Sequence, residues 1–368
     1  MYIYEREGWP NFIWDEVQVL GFLSEVRYQQ GLLLGKMRSL GFDLQDQAVL
    51  ETLTLDVVKS NEIEGENIHT DEVRSSVARK LGLQLDTEVH VGRYTEGVVE
   101  MMLDATQKYE ASLSEERICG WHAALFPTGY SGINKIIVGA WRKGAEPMQV
   151  QVVSGSMGRE KVHFIAPGSD SVPDEMEKFL IWAQEESGID NVIKAAIAHI
   201  WFVTIHPFDD GNGRITRTIS DLFLARSDES PQRFYSMSAA ILEKKKSYYR
   251  ILEHTQKGDV DITEWLIWFL KRLKEAIQSS EEKLYSVLYK ARFWNLFSQT
   301  RLNDRQRLMV NKLLDGYEGI IRTSKWAKIT DCSEKTALRD IEDLIEKGIM
   351  KKGKAGGRST SYVLVELE

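Results

Sequence analysis

The sequence predicts a mainly α-helical protein with one β-hairpin near its centre and a separate small domain at its C-terminal end. Three observations support this prediction. Apolar residues recur at helical spacing through most of the first 290 positions, glycines interrupt that spacing over 127–173, and the pattern changes again after about residue 302. Hydrophobic periodicity and its interruptions are the main signal of secondary structure in a sequence.

Length and composition narrow the class of protein. A chain of 368 residues suggests two or three domains. The net charge of -8 argues against nucleic acid as the main partner, although a local basic patch is compatible with it. Cys119 and Cys332 stand alone, which fits a reducing compartment and neither a disulfide framework nor a zinc site. With no signal peptide and no apolar run of membrane length, we expect a cytoplasmic protein without a membrane partner.

Helical spacing defines most elements of the first 290 residues. Helices are predicted from residue 15 onward and over 44–64, 71–81, 91–109 and 115–125. Gly65 stands where the second helix should stop, and Pro127 stops the fifth. Helices return over 173–185, 192–205, 214–226, 237–257 and 262–289.

The glycine-rich region contains two β-prone runs, 148–154 and 160–165, separated by Gly-Ser-Met-Gly. Two such runs joined by a short glycine-containing segment predict a β-hairpin.

The C-terminal region has a different plan. Short helices are predicted over 304–314, 323–328 and 333–347, with Ser333 as an N-cap and Gly348 as a stop. A strand, a glycine-rich basic turn and a second strand follow from Met350. Three short helices and a hairpin predict a winged helix-turn-helix.

Polar chemistry is concentrated at 205–217, directly after a run that is apolar on nearly every face and is therefore predicted to be a buried helix. His206 ends that helix, so it should be held rigidly, titrate near neutrality and suit the role of general base. Gly211 and Gly213 let backbone N–H groups converge on an anion at the start of the next helix.

Charged residues complete this stretch. Asp210 is a hard oxygen ligand of the kind that Mg²⁺ accepts beside phosphates. Arg214 and Arg217 lie three residues apart on one helix face and can clamp a polyphosphate together. A base, a metal ligand, an anion site and two arginines indicate phosphoryl or nucleotidyl transfer onto a hydroxyl.

Residues 206–217, His-Pro-Phe-Asp-Asp-Gly-Asn-Gly-Arg-Ile-Thr-Arg, resemble the signature His-Pro-Phe-x-[Asp/Glu]-Gly-Asn-Gly-Arg-x-x-Arg of the Fic (Fido) family at every defined position. The resemblance implies the helical Fic core over about 45–275. It also implies the best-known reaction of the family, which is transfer of AMP from ATP to a Ser, Thr or Tyr hydroxyl of a protein.

The resemblance assigns roles by position. His206 would deprotonate the target hydroxyl, and Asp210 would hold Mg²⁺ between the α- and β-phosphates. The α-, β- and γ-phosphates would be held, in turn, by Asn212 with the flanking backbone of Gly211 and Gly213, by Arg214 and by Arg217. Asp209 fills the variable position and is expected to be a solvated carboxylate. Tyr249 and Gln256 would lie near the adenine, as would Tyr248 unless it packs in the core.

The hairpin occupies the place of the family's flap, whose exposed edge pairs with the target segment. The residues expected to do this are Gln151, Val152, Val153 and Ser154. A purely structural hairpin is the alternative.

Residues 60–65, Ser-Asn-Glu-Ile-Glu-Gly, resemble the family's inhibitory motif [Ser/Thr]-x-x-x-Glu-[Gly/Asn], with Ser60, Glu64 and Gly65 at its defined positions. A carboxylate in the last turn of a helix costs about 0.3–1 kcal/mol without a cationic partner. Arg217 is a candidate partner, and its pairing with Glu64 would block the γ-phosphate site. A solvated acidic helix end is the alternative.

The domain prediction is an N-terminal helical extension over 1–85, a catalytic core over 86–290 and a winged-helix domain over 300–368. The extension resembles that of many bacterial Fic proteins, and a packing surface, for instance for a homodimer, is the expected role. The wing carries cations that suit phosphate contacts, namely Lys351, Lys352, Lys354 and Arg358. Helix 333–347 carries five acidic residues against three basic ones, yet Lys335, Thr336 and Arg339 near its start can face a groove, so DNA and protein partners both remain open.

The leading hypothesis is a self-inhibited protein adenylyltransferase that uses ATP and Mg²⁺ and modifies a target protein and itself. One alternative is removal of AMP from a protein, with Glu64 positioning water, or another nucleotide or phosphoryl transfer at the same site. Another is a DNA-binding regulator whose core only senses nucleotide.

Overall fold

The structure of the protein, a computed structural model, describes residues 1–85, 89–144, 150–154, 161–314, 317, 319–353 and 360–366. The chain divides into two compact units, Met1–Ser280 and Glu281–Glu368. The finer division at residues 85 and 290 remains a prediction. No helix in the described ranges is long and apolar enough to cross a membrane.

The prediction of a mainly α-helical protein is confirmed. The helices are α1 Glu16–Arg38, α2 Phe42–Glu64, α3 Thr70–Leu81, α4 Arg93–Gln107, α5 Glu115–Leu125, α6 Val172–Gln184, α7 Asn191–Ile205, α8 Asn212–Asp228, α9 Met237–Glu243, α10 Lys245–Gln256, α11 Thr263–Leu296, α12 Asp304–Leu314, α13 Thr323–Ile329 and α14 Glu334–Glu346. The strands are β1 Tyr130–Ser131, β2 Asn134–Lys135, β3 Gln151–Ser154, β4 Lys161–Ile165, β5 Met350–Lys352 and β6 Tyr362–Leu364.

Helix α7 lies in the core of the first unit, as its apolar sequence predicts. Every residue from Val192 to Ile205 is buried, and the helix packs along α8. The Asp190 carboxylate caps its first turn by accepting the Val192 N–H at 2.8 Å. Because packing holds this helix on all sides, the residue that ends it occupies a fixed position.

The end of α2 is set by Gly65, which has a φ of 83°. The N–H of Gly65 donates to the Glu62 carbonyl at 3.1 Å, and the N–H of Glu66 donates to the Asn61 carbonyl at 3.1 Å. These two bonds form a Schellman motif, whose left-handed residue favours glycine. The turn places Glu64 and Glu66 on either side of the helix stop.

The structure differs from the local predictions at two places. The single helix predicted over 237–257 is two helices, because Lys244 leaves helical geometry with φ -115° and ψ 28°. No glycine or proline marks this break; helix α9 packs on α2, whereas α10 packs on β4. The short antiparallel pair of β1 and β2 was not predicted, since two-residue strands leave no alternation in the sequence.

The predicted antiparallel pairing of the two central β-prone runs is confirmed over 151–154 and 161–165, while residues 148, 149 and 155–160 of that prediction lie outside the described residues. Strands β3 and β4 pair antiparallel, with Val152 opposite Phe164 and an irregularity between Val152 and Val153. The Phe164 ring is buried and packs edge-on against Tyr2 and Tyr4. The N-terminal segment therefore supports one face of this hairpin.

The N-terminal extension packs into the first unit through polar contacts. Gln30 is buried, and its amide donates to the carboxylate of Asp228 and to the hydroxyl of Ser227. Arg27 pairs with Asp190 at 2.9 Å. The opposite side of α1 exposes Val17, Leu20 and Tyr28, and a homodimer formed through this extension remains a prediction.

The second unit has its own apolar core, which includes Phe293, Met309, Trp326, Ile341 and Tyr362. Helices α12, α13 and α14 precede the antiparallel strands β5 and β6, in the predicted order. The assignment of this unit as a winged helix-turn-helix stays a prediction. Of the four wing cations, Lys351 and Lys352 are exposed, while Lys354 and Arg358 lie outside the described residues.

Candidate active site

His206 is the residue that ends α7. Its backbone lies in the left-handed region, with φ 53° and ψ 58°, and its N–H donates to the Phe202 carbonyl at 3.0 Å. A non-glycine residue in this region is uncommon, and such conformations concentrate at functional sites. The ring Nδ1 lies 3.2 Å from the Val203 carbonyl, which assigns the ring proton to Nδ1. The basic nitrogen is then Nε2.

Burial lowers the pKa of His206 to about 4, and the nearby charge of Arg142 acts in the same direction. The carboxylates of Glu64 and Asp210 oppose this shift without reversing it. The expectation that His206 titrates near neutrality is therefore wrong, because loss of hydration disfavours the imidazolium. At pH 7 the ring is neutral, which is the form that can accept a proton.

Asn212 closes the loop between α7 and α8. Its side-chain oxygen accepts the Phe208 N–H at 3.0 Å, and its amide donates to the Phe208 carbonyl at 2.8 Å. The side chain is buried with both groups occupied. The expected contact with an α-phosphate would thus fall to the backbone N–H groups of Asn212 and Gly213, where α8 begins.

Arg217 is buried and is held by residues at the end of α2. Its Nη1 lies 2.8 Å from the Glu64 Oε1. Its Nε donates to the Ser60 hydroxyl at 2.9 Å, and its Nη2 donates to the Ser60 carbonyl at 2.8 Å. A β-carbon added at Gly213 would collide with the Glu64 carboxylate, so this glycine permits the carboxylate to reach the start of α8. The structure brings together residues that the two motifs contribute from distant parts of the chain.

Arg214 is buried as well, and it has a separate set of partners. Its Nη1 donates to the Glu66 Oε2 at 3.0 Å and to the Tyr94 hydroxyl at 2.7 Å. The guanidinium carbon lies 5.2 Å from the centre of the Phe126 ring. The two arginines of the motif are therefore each paired with a carboxylate that flanks Gly65.

Asp210 is partly exposed on the same loop. Its Oδ2 accepts from the Ser131 hydroxyl, its Oδ1 accepts the Gly211 N–H at 2.5 Å, and the Arg214 Nη2 lies 3.9 Å from Oδ1. The described residues contain no group of three His, Cys, Asp or Glu side chains that could hold a metal. One accessible carboxylate fits a Mg²⁺ ion that takes its other ligands from phosphates and water.

Asp209 is exposed, as expected of a solvated loop carboxylate, but it also has a structural contact. Its Oδ2 accepts the Ile137 N–H at 2.9 Å. This bond ties the loop that follows α7 to the segment after β2.

Two segments of the chain match known family models. Residues 112–224 match the family model described as Fic/DOC family, and residues 2–83 match one described as Domain of unknown function (DUF4172). Residues 112–224 form a Fic/DOC family domain. This Fic domain contains α7, the loop after it and the part of α8 up to residue 224.

The chain is similar to Protein adenylyltransferase fic-1 of Caenorhabditis elegans, with 32% identity over 99 residues, which is 26% of this chain and 18% of that relative. The matched segment is thus about a fifth of the relative's length. A Fic family protein from Desulfovibrio desulfuricans G20 has the same fold, with a TM-score of 0.51, 19% identity and coverage of 95% of this chain and 97% of that chain. A Fic domain containing signaling protein from Bacteroides thetaiotaomicron VPI-5482 gives a TM-score of 0.52 at 19% identity, over 73% of this chain and 97% of that chain.

The residues expected near the adenine lie on α10, after the Fic domain. Tyr249 donates to the Ile63 carbonyl at 3.2 Å, which places it beside the end of α2. Tyr248 is buried, and its hydroxyl lies 2.8 Å from the His199 Nε2, in keeping with core packing. Gln256 is buried and donates to the Thr204 hydroxyl at 3.3 Å.

The residues expected to form a flap are described only in part. The backbones of Gln151, Val152, Val153 and Ser154 form β3, which belongs to a two-stranded sheet in the described part of the chain. The side chains of Val153 and Ser154 lie outside the described residues. The assignment of this edge to target binding stays a prediction.

Several residues around the Fic motif were not predicted as site residues, namely Glu66, Tyr94, His122, Ser131 and Arg142. His122 illustrates why. It stacks on Phe208 with ring centres 4.0 Å apart, accepts the Gly139 N–H at 3.1 Å and lies 3.2 Å from the Asp210 carbonyl. It comes from α5, 88 positions from Asp210, and no local pattern marks it. Only Glu66 carried a signal, because it belongs to the acidic run after Gly65.

Proposed function

We propose that the protein is an adenylyltransferase that transfers AMP from ATP to a Ser, Thr or Tyr hydroxyl of a target protein. It would also modify hydroxyl groups of its own chain. One arrangement carries this proposal. The neutral imidazole of His206 lies at the end of α7, and the loop that follows leads into α8, which bears the buried side chains of Arg214 and Arg217. A helix N-terminus and two guanidinium groups suit a polyphosphate, and a neutral imidazole suits a hydroxyl. The similarity to a protein adenylyltransferase supports the same activity.

The chemistry follows from these groups. The Nε2 of His206 accepts the hydroxyl proton while the hydroxyl oxygen bonds to the α-phosphorus. The bond from that phosphorus to the oxygen bridging the α- and β-phosphates breaks, and pyrophosphate leaves. The N–H groups at the start of α8 and the side chains of Arg214 and Arg217 hold the negative charge in place. Asp210 would hold Mg²⁺, which supplies further charge neutralisation at the phosphates.

The resting protein is proposed to be self-inhibited. The Glu64 carboxylate pairs with Arg217 at 2.8 Å and lies against Gly213, where phosphate oxygens would otherwise approach. An anion that already occupies these donors competes with ATP directly, because the guanidinium and the helix N-terminus serve both. The proposal predicts weak activity until Glu64 moves away.

Labelling with ATP that carries the isotope in its α-phosphate tests this proposal. The Glu64→Gly variant should incorporate label into itself faster than the natural protein does, and Glu64→Gly combined with His206→Ala should incorporate none. Mass spectrometry should find a gain of one AMP on a hydroxyl side chain. Label that appears only when the isotope is in the γ-phosphate would instead indicate phosphoryl transfer and would refute AMP transfer.

A second candidate function, DNA binding by the C-terminal unit, is supported by one observation on α14. Asp340 pairs with Arg305 at 2.8 Å, and Asp343 accepts from Gln306 at 2.7 Å, so part of the helix's acidity faces α12. Lys335 and Arg339 at its start are exposed. Retention of the protein by duplex DNA that weakens steeply with added salt, and weakens further in Lys335→Gln with Arg339→Gln, would support this function. No retention at low salt would exclude it.

A further inference from the structure

Arg142 is a buried arginine outside the signature motif. Arg142 is 3% exposed, and its guanidinium forms no ion pair within the described part of the chain. The side chain donates to three main-chain carbonyls, namely those of His206 at 2.8 Å, Pro167 at 2.5 Å and Ile205 at 3.5 Å. Burial of an unpaired cation is costly, so a site that keeps one needs a reason.

Two of these carbonyls belong to the C-terminal end of α7. A cation is favourable there because the last carbonyls of a helix have no partner within it and carry partial negative charge. His206 leaves the helix in the left-handed conformation, which turns its carbonyl away from the helix axis. By holding that carbonyl, Arg142 fixes the backbone orientation from which the imidazole projects.

The remaining contacts join the same arginine to the hairpin. Its Nη2 binds the carbonyl of Pro167, two residues after the end of β4. Its backbone N–H donates to the Pro207 carbonyl at 2.8 Å. Residues 142 and 167 flank the hairpin on either side in the chain, so both flanks are tied to residues 205–207.

We propose that Arg142 is a positioning residue that holds the hairpin and His206 at a fixed separation, so that a hydroxyl presented on β3 meets the imidazole Nε2. This inference rests on the proposed function, since it needs a target segment bound along the hairpin. A planar guanidinium can bind two carbonyls at fixed angles, whereas the ammonium of lysine is a point charge on a flexible stem. Arg142→Lys therefore separates geometry from charge.

The charge of Arg142 has a second consequence at His206. The charged groups that act on the imidazole are Arg142, Glu64 and Asp210, and Arg142 is the one that disfavours the imidazolium. Its removal should raise the pKa of His206, whereas Arg142→Lys should leave that pKa low. If Arg142 only supported the fold, Arg142→Met would not raise the pKa of His206 while Arg142→Lys left it low.

The experiment compares Arg142→Lys and Arg142→Met in the Glu64→Gly background. Both should lose about a hundredfold in labelling rate at saturating ATP, the cost expected when a reacting group is misplaced by about 1 Å. The KM for ATP should stay within about twofold, because the phosphate-binding groups are untouched. An unchanged rate, or a KM that rises with the rate loss, would overturn the inference. Circular dichroism and the Tm would show whether either variant has lost its fold.

A readout that does not depend on catalysis keeps the inference separable from the proposed function. The pKa of His206, measured by NMR titration, should rise in Arg142→Met and stay low in Arg142→Lys. If the Glu64→Gly parent never incorporates label, the proposed function fails. The titration would then still show whether Arg142 controls His206, and an equal pKa in both variants would refute it.

Discussion

The Nη1 of Arg214 donates to the Glu66 Oε2 at 3.0 Å, next to the Glu64–Arg217 pair at 2.8 Å. The two carboxylates flank Gly65, whose left-handed conformation ends α2 and turns the chain between them. One helix end therefore supplies an anion to each arginine of the motif. If the proposed function holds, Glu66 adds a second contact that ATP would have to replace.

Removal of Glu64 and Glu66 should therefore act in two steps. Glu64→Gly should raise the labelling rate about 5- to 150-fold, the usual range of coupling between regulatory and functional groups. Addition of Glu66→Gln should then lower the KM for ATP about two- to fivefold. The change is small because an ion pair of a half-exposed carboxylate contributes little free energy. Steady-state labelling over a range of ATP concentrations measures both.

The matched control is Glu62→Gln, because Glu62 lies on the same turn but pairs with Lys59 at 2.8 Å. This variant should leave the rate and the KM unchanged. An equal effect from Glu62 and Glu66 would show that overall acidity, and not the contact with Arg214, governs ATP binding.

The pH dependence of labelling should report the lowered pKa of His206, which is about 4. The neutral imidazole is the active form, so the rate in the Glu64→Gly background should stay level from pH 8 to 6. It should decline only as the pH approaches 4, because protonation removes the base there. A half-maximal rate near pH 6.5, the ordinary pKa of histidine, would contradict the lowered pKa of this partly buried ring.

The crossing of α4 and α5 should not tolerate a side chain at Gly97. A β-carbon there would collide with the backbone carbonyl of Ala124. Gly97→Ala should lower stability by about 1–3 kcal/mol, the usual cost of overpacking, which thermal denaturation would detect as a lower Tm. Gly120→Ala on α5 is the control, since open space surrounds that position. This control should raise the Tm slightly, because alanine is the better helix former.

Stability should fall in mild acid because buried histidines are neutral in the folded state. Burial lowers the pKa of His122 to about 4 and that of His199 to about 3. The unfolded chain takes up these protons near pH 6.5, so the stabilisation is complete above that pH and is lost as the pH falls toward 4. His199→Gln removes one such group and should make the fall of the Tm between pH 7 and 4.5 shallower.

The sequence by itself determined the features that depend on neighbouring residues. All-round apolarity identified α7 as a buried helix, Gly65 identified the end of α2, and the spacing of Arg214 and Arg217 placed them on one face of α8. Each of these follows from the period of a helix or from the backbone freedom of one residue type. They are visible in a short window of sequence.

Only the tertiary structure decided which side chains meet. The contact of Arg217 with Ser60 joins positions 157 residues apart, and that of Arg214 with Tyr94 joins positions 120 residues apart. The Asn212 side chain accepts the Phe208 N–H, and Arg142 donates to the His206 carbonyl at the end of α7. These partners depend on how the helices pack. A buried polar group has no water to bind, so it hydrogen-bonds to the partner that packing brings within reach. No local pattern in the chain records that outcome.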